Sequence, residues 1–154
     1  PGRWADSTSQ AHHDAMQIHA HLAGWITSLK DSVIAEFSTE VQEREGTRLL
    51  GKHTLTAADV LSGRRFSDAA AANSWPMEFW HQRKGPCYQY LDPGQSYDIP
   101  LRCLQSRSFS NLSCAGRCIS ASPEALASSR VMGSCMALGE AAGHDAAYQV
   151  LREA

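Results

Sequence analysis

An α/β fold, α+β when these residues are taken as a piece by themselves, is predicted from three stretches of the chain. From Asn111 to Gly143 a short apolar run closed by glycine is followed by a polar loop and then by a helix of small residues, an order of strand, loop and helix. Between Thr47 and Leu104, apolar segments broken by Gly, Pro and Asp read as strands with one short helix. Before them, apolar residues recur at spacings of three and four, the period of an amphipathic helix. The expected organisation is a helical segment over 1–43, mixed strands and a short helix over 44–110, and a last strand and helix over 111–154. The last two are interleaved, because one strand and one helix cannot bury their own faces.

The first helix is expected from Ser9, which can cap it, to Glu43. Ala15, Ile18, Leu22, Trp25, Ile26 and Leu29 form its apolar stripe, and Asp31 to Phe37 continues it or begins another helix. Thr47 to Thr54 reads as a strand. Thr56 then caps a helix over Ala57 to Leu61 with Asp59 at its third position, and Gly63 closes it. Ser62 to Phe66 and Asp68 to Trp80 carry further strands, with Trp75, Phe79 and Trp80 as core aromatics. Gln82 to Ser96 is a hairpin or surface loop with a turn at Asp92 to Gly94. Tyr97 to Leu104 is a strand with Ile99, Leu101 and Cys103 on one face.

In the last segment, Leu112 to Ala115 is the strand, Gly116 to Ser129 the turn and polar loop, and the helix follows Arg130. Gly139 and Gly143 each cost about 1 kcal/mol in a helix interior relative to alanine. Close approach of the helix backbone to a sheet or a flat ligand would offset that cost. The head of such a helix presents unpaired N–H groups and partial positive charge, so an anion or an electron-rich carbonyl is its natural occupant.

Composition is that of an ordinary globular chain: 154 residues, 43% hydrophobic, 19% charged, net charge −2. That balance gives no electrostatic case for nucleic acid. The 14 basic residues are 3 Lys and 11 Arg, scattered along the chain, which suits local pairing with carboxylates or phosphates. No apolar run reaches the ~20 residues a membrane span needs, and the first residues lack the apolar core of a signal peptide, so a cytoplasmic location is expected. Five cysteines without C-x-x-C spacing read as reduced thiols. His12, His13, His19 and His21 have no completing cysteine or carboxylate cluster, and no metal site is assigned.

Four ordered blocks carry a resemblance. They are Arg44 to Asp68, Ser74 to Trp80 (S-W-P-M-E-F-W), Tyr97 to Leu104 (Y-D-I-P-L-R-C-L), and the run A-G-R-C-I-S-A-S-P-E-A-L-A-S-S-R-V-M-G-S-C-M-A-L-G-E-A-A-G ending at Gly143. Together they resemble the C-terminal part of the FAD-dependent oxidoreductase family, within the wider group of succinate dehydrogenase and fumarate reductase flavoproteins. The resemblance implies the C-terminal portion of a two-domain, Rossmann-like FAD-binding flavoprotein. Residues 44–110 then become a piece of its substrate domain. No G-x-G-x-x-G occurs in the 154 residues, so the glycine-rich dinucleotide-binding half is expected to be a separate N-terminal part and the chain's partner.

Carried over position by position, the resemblance places Gly116 and Arg117 near the ribityl chain and pyrophosphate of FAD. Arg130 faces an anionic substrate or the flavin, and Ser134, Cys135 and Met136 lie at the flavin ring. The implied reaction is hydride transfer from a small organic substrate to flavin. Relatives commonly carry histidine where this chain has Pro123, which puts that side chain's role in doubt and leaves His53, Glu124 and Arg102 as weak proton-transfer candidates. For Arg117 a bland role, pairing with Glu124, stands beside the flavin role. The alternative for the whole chain is a non-catalytic remnant or subunit that folds alone or binds a partner without flavin.

Overall fold

Helices and two small antiparallel sheets make up a mixed α/β fold. The computed structural model describes residues 2–39, 46–81 and 85–153. The chain divides into two units, Pro1–Glu43 and Arg44–Ala154.

In the first unit, helix α1 spans Gly2–Trp25, so it starts before Ser9 and stops well short of Glu43. Ile26 is extended, with φ −107 and ψ 108, and a 3-10 turn, Thr27–Leu29, follows. Two β-branched residues in succession hold the helix poorly, and Ser32 Oγ then donates to Leu29 O at 2.6 Å, ending the run. Asp31 to Phe37 is irregular rather than helical, and residues 40–43 of the expected helix lie outside the described residues.

The chain after the turn folds back on the histidine face of α1. His12 stacks on Phe37 with ring centroids 4.6 Å apart and donates to Ser38 O at 2.9 Å. His19 Nε2 donates to Ser32 Oγ at 2.9 Å. His12 and His19 do share a face, as their spacing of two turns requires. The expected apolar stripe is not the covered one: Ile18 is 60% exposed and Trp25 80%.

In the second unit, α2 (Ala57–Leu61) forms as its capping residues dictate. Thr56 Oγ1 accepts from the Asp59 N–H and the Thr56 N–H donates to Asp59 Oδ2. Strand β1 (Ala69–Asn73) pairs antiparallel with β4 (Tyr97–Pro100), with a bulge between Ala69 and Ala71, and β2 (Met77–His81) pairs antiparallel with β3 (Gly85–Gln89). Leu55, Val60, Met77, Tyr97, Ile99 and Leu126 belong to the single core cluster.

Several expectations give way here. Thr47 to Thr54 is not a strand, because its N–H groups go to scattered acceptors in two segments: Leu49 to Cys118 O, and Lys52 and His53 to Gln105 O and Arg102 O. β4 stops at Pro100, a 3-10 turn (Leu101–Cys103) takes over, and all four of its residues are buried, so no face alternates. Trp75, Phe79 and Trp80 are exposed, because the β2–β3 hairpin is a separate two-stranded sheet that buries only Met77. The turn at Asp92 to Gly94 forms, with Gln95 N–H on Asp92 O at 2.9 Å.

The greatest differences lie in the last third. Leu112 to Ala115 is not a strand; it holds only to the 104–106 stretch, through Ser106 N–H on Leu112 O and Cys114 N–H on Leu104 O. The expected polar loop contains a 3-10 turn (Gly116–Cys118) and helix α3 (Pro123–Ser129), whose residues 125–129 are all buried. Helix α4 (Met132–Glu153) follows as expected and packs on alanine-rich β1. Its glycines do not serve close approach: a Cβ at Gly139 or Gly143 would meet nothing within 4 Å. The tight position is Gly51, where a Cβ would sit 2.6 Å from Ser120 Cβ and 3.0 Å from Arg102 O.

Opposite effects are therefore expected of two glycine-to-alanine substitutions, read by thermal unfolding. Gly51→Ala should destabilise the fold by about 1–3 kcal/mol through overpacking. Gly143→Ala should stabilise it by up to about 1 kcal/mol, since helix propensity is gained against open space.

Candidate functional site

A buried polar network fixes the geometry around the end of α3. Asn73 Nδ2 donates to Tyr97 Oη at 2.7 Å and to Ser128 O at 3.2 Å, both at buried positions. Ser128 Oγ donates to Trp75 O at 2.6 Å, so in the contact with Tyr97 Oη, 2.7 Å away, the phenol is the donor. The chain Asn73 to Tyr97 to Ser128 to Trp75 O uses every member, which is what a buried network needs to be stabilising. Burial raises the Tyr97 pKa, against the bonds from Ser128 and Asn73, so the phenol stays neutral and a donor.

That anchor sets the α3–α4 junction. Arg130 is the C-cap of α3, its N–H on Leu126 O at 3.1 Å, and its Nη2 reaches Glu78 O at 3.5 Å. Two residues later α4 begins, and its first bond runs from Cys135 N–H to Val131 O at 3.0 Å. The N–H groups ahead of that bond, on Met132, Gly133 and Ser134, are the ones a helix leaves without an internal acceptor. Ser134 is buried, whereas Met132 and Met136 are 84% and 76% exposed.

The 3-10 turn Gly116–Cys118 packs against both α3 and α4. Gly116 has φ +83, a left-handed conformation that side-chain-bearing residues adopt only with strain. Its Cβ position lies 3.8 Å from Cys135 Sγ, so the turn abuts the head of α4. Burial raises the Cys135 pKa and the Arg117 charge opposes it. Gly116, Arg117 and Cys135 are thus brought together, with Ser134 next to Cys135 in the first turn of α4. Arg130, four residues before Ser134, is directed instead to Glu78 O.

His53, Arg102 and Glu124 are held in other settings. His53 packs edge-on to Phe66, 5.3 Å between centroids, and its buried Nε2 lies 3.8 Å from Asp59 Oδ2 without a hydrogen-bond partner. Arg102 is locked on Asp68 by two bonds, Nε to Oδ2 at 2.8 Å and Nη2 to Oδ1 at 3.1 Å. Glu124 sits exposed in the first turn of α3, its pKa lowered by backbone N–H and Ser122 hydrogen bonds, and the arginine whose charge reaches it is Arg48. Among the described residues no group of three or more His, Cys, Asp or Glu is placed to hold a metal ion. All five cysteines are free thiols, and burial pushes Cys103 up to about 12.

Reading the sequence missed α3 and the Tyr97–Ser128 pair. The helix had a legible signal, Ser122 as cap with Pro123 at the first position, and Ser122 Oγ does accept from Ala125 N–H at 3.3 Å. The network had none, since Asn73, Tyr97 and Ser128 lie 24 to 55 residues apart.

Set against known proteins, residues 1–154 match the model of the family described as FAD dependent oxidoreductase. Curated proteins and solved structures yield no match. No helix among the described residues is long and apolar enough to cross a membrane.

Two tests address the site's framework. Tyr97→Phe should cost about 1–3 kcal/mol in denaturant unfolding, because Asn73 and Ser128 lose their shared partner in a buried place. Asp59, Asp68 and Asp98 all have lowered pKa values: burial opposes the shift at Asp59 and Asp98, where bonds from Thr56 and Arg64, and from Phe66 N–H and Arg65, outweigh it. At Asp68 the Arg102 hydrogen bond is the leading cause. The unfolded chain therefore binds more protons near its ordinary carboxylate pKa, so stability is full above about pH 5 and falls as the folded-state values are crossed in acid. Melting temperature should drop as pH is lowered below about 4, and Asp98→Asn should flatten that dependence.

Proposed function

Because this chain belongs to the FAD-dependent oxidoreductase family, we propose that Gly116, Arg117, Arg130 and the α4 head from Ser134 to Met136 form one wall of a flavin site in an enzyme that moves a hydride from a small organic substrate to FAD. The observation carrying this reading is the meeting of a left-handed glycine turn with a long helix's first turn, Gly116 beside Cys135. The donor set suits the cofactor. First-turn N–H groups and two arginines favour an anionic or electron-rich group, and exposed Met132 and Met136 add an apolar, polarizable surface for a ring.

Bound there, FAD would supply the two-electron acceptor that no protein side chain offers. The chain's own part is electrostatic and positional. The helix head and Arg130 stabilise negative charge where it develops, and they are preorganised because the Tyr97–Ser128 network holds the end of α3. Arg117 neutralises charge on the outer side of the turn. The partner in this reading is the glycine-rich half of the flavoprotein, and the substrate is a small molecule. Kinship with succinate dehydrogenase and fumarate reductase flavoproteins belongs to the same proposal, supported by the order of the four sequence blocks.

The test is flavin occupancy from the visible absorbance of this chain combined with the glycine-rich half, wild type against two variants. Gly116→Val should lose at least about 90% of bound FAD, since φ +83 excludes a β-branched residue. Gly116→Asn separates folding from binding, because asparagine tolerates the left-handed region: it should keep the wild-type circular dichroism yet lower occupancy. Unchanged occupancy in a folded Gly116→Asn protein would overturn the placement of the turn.

A further inference from the structure

Cys114 and Cys118 flank the Gly116 turn, and both line a cleft of about 350 Å³ shared with Arg48, Leu50, Phe109 and Leu112. Cys118 Sγ donates to the carbonyl of Ala115, the residue next to Cys114, at 3.3 Å. A cross-link between them would close a ring from Cys114 to Cys118 that contains Gly116 and Arg117. The remaining cysteines are placed differently. Cys103 is fully buried, Cys87 lies on the exposed β3 edge, and Cys135 faces Gly116 from α4.

We propose that Cys114 and Cys118 are a modification site: in the presence of a peroxide they form an intramolecular disulfide across the Gly116 turn. The Cys114 thiol, having lost its proton to solvent, attacks the peroxide; the O–O bond breaks, hydroxide or alkoxide leaves and takes up a proton, and a sulfenic acid forms on Cys114. Cys118 sulfur then attacks that sulfur, forming S–S and releasing water. In total, two thiols and one hydrogen peroxide give one disulfide and two waters; the thiols lose two electrons and the peroxide gains them. The cleft gives the oxidant access to both sulfurs, and their separation of only four residues about the Gly116 turn keeps the closure local. Burial and the neighbouring Cys118 sulfur raise the Cys114 pKa, while Arg48 stands in the same cleft and Arg117 and Cys135 are the next charged or titratable groups at the turn. Only the thiolate attacks, so the reaction is slow at neutral pH and best followed at about pH 8.5.

Trypsin provides the readout. Cleavage at Arg107, Arg117, Arg130 and Arg152 puts Cys114, Cys118 and Cys135 on three different peptides, 108–117, 118–130 and 131–152. After treatment of the full chain with hydrogen peroxide, alkylation and non-reducing digestion, mass spectrometry should find 108–117 joined to 118–130, with the intact mass lower by about 2 Da. Cys118→Ala should abolish the link and leave Cys114 as a sulfenic or higher acid. A link between 118–130 and 131–152, oxygen addition without any link in the unsubstituted chain, or no change at all would each overturn the proposal. None of these outcomes depends on flavin occupancy, so the two proposals fail separately.

Discussion

The second unit depends on one buried contact, the hydroxyl pair of Tyr97 and Ser128. It joins β4 to α3 through side chains that cannot be left unpaired away from water, and Asn73 extends the tie to β1. Because Ser128 also donates to Trp75 O, the same hydroxyl ties α3 to the segment that leads into β2. Position along the chain then follows. Arg130 caps α3 two residues after Ser128, and α4 starts two residues later, so the anchor dictates where the head of α4 lies.

Around that anchor, arginine–aspartate pairs close the loops. Arg64 holds Asp59 at 2.8 Å, Arg65 holds Asp98 at 2.8 Å and Arg102 holds Asp68 at 2.8 Å. In each pair the arginine is partly exposed, so the screened Coulomb term is modest. The larger effect is local: Asp59 completes a helix cap and Asp98 receives the Phe66 N–H, so each carboxylate satisfies backbone donors that would otherwise be buried bare. A chain with many arginines and few lysines folds this way because a forked guanidinium can serve two acceptors at once.

What was legible in advance had a local cause. The capping box at Thr56 and Asp59, the turn at Asp92 to Gly94 and the long helix after Arg130 each follow from residues within a few positions of one another. Among the expectations that failed, two concerned strands. Thr47 to Thr54 and Leu112 to Ala115 have suitable apolar residues, yet a strand is a relation between two segments, and each of these finds only scattered bonds or a single bridge. Trp75, Phe79 and Trp80 stay exposed although α3 packs on β2, because that contact buries only Met77 of the strand.

For the region around Gly116 the division is similar. A glycine at position 116, a small-residue helix behind it and the arginines on either side are written in the order of residues, and so is membership of the family. That Gly116 takes φ +83, that it abuts Cys135, and that Cys114 and Cys118 share one cleft required the folded chain. These are distances between segments whose approach is set by burial in the common core, a many-body packing problem that no short window of sequence contains.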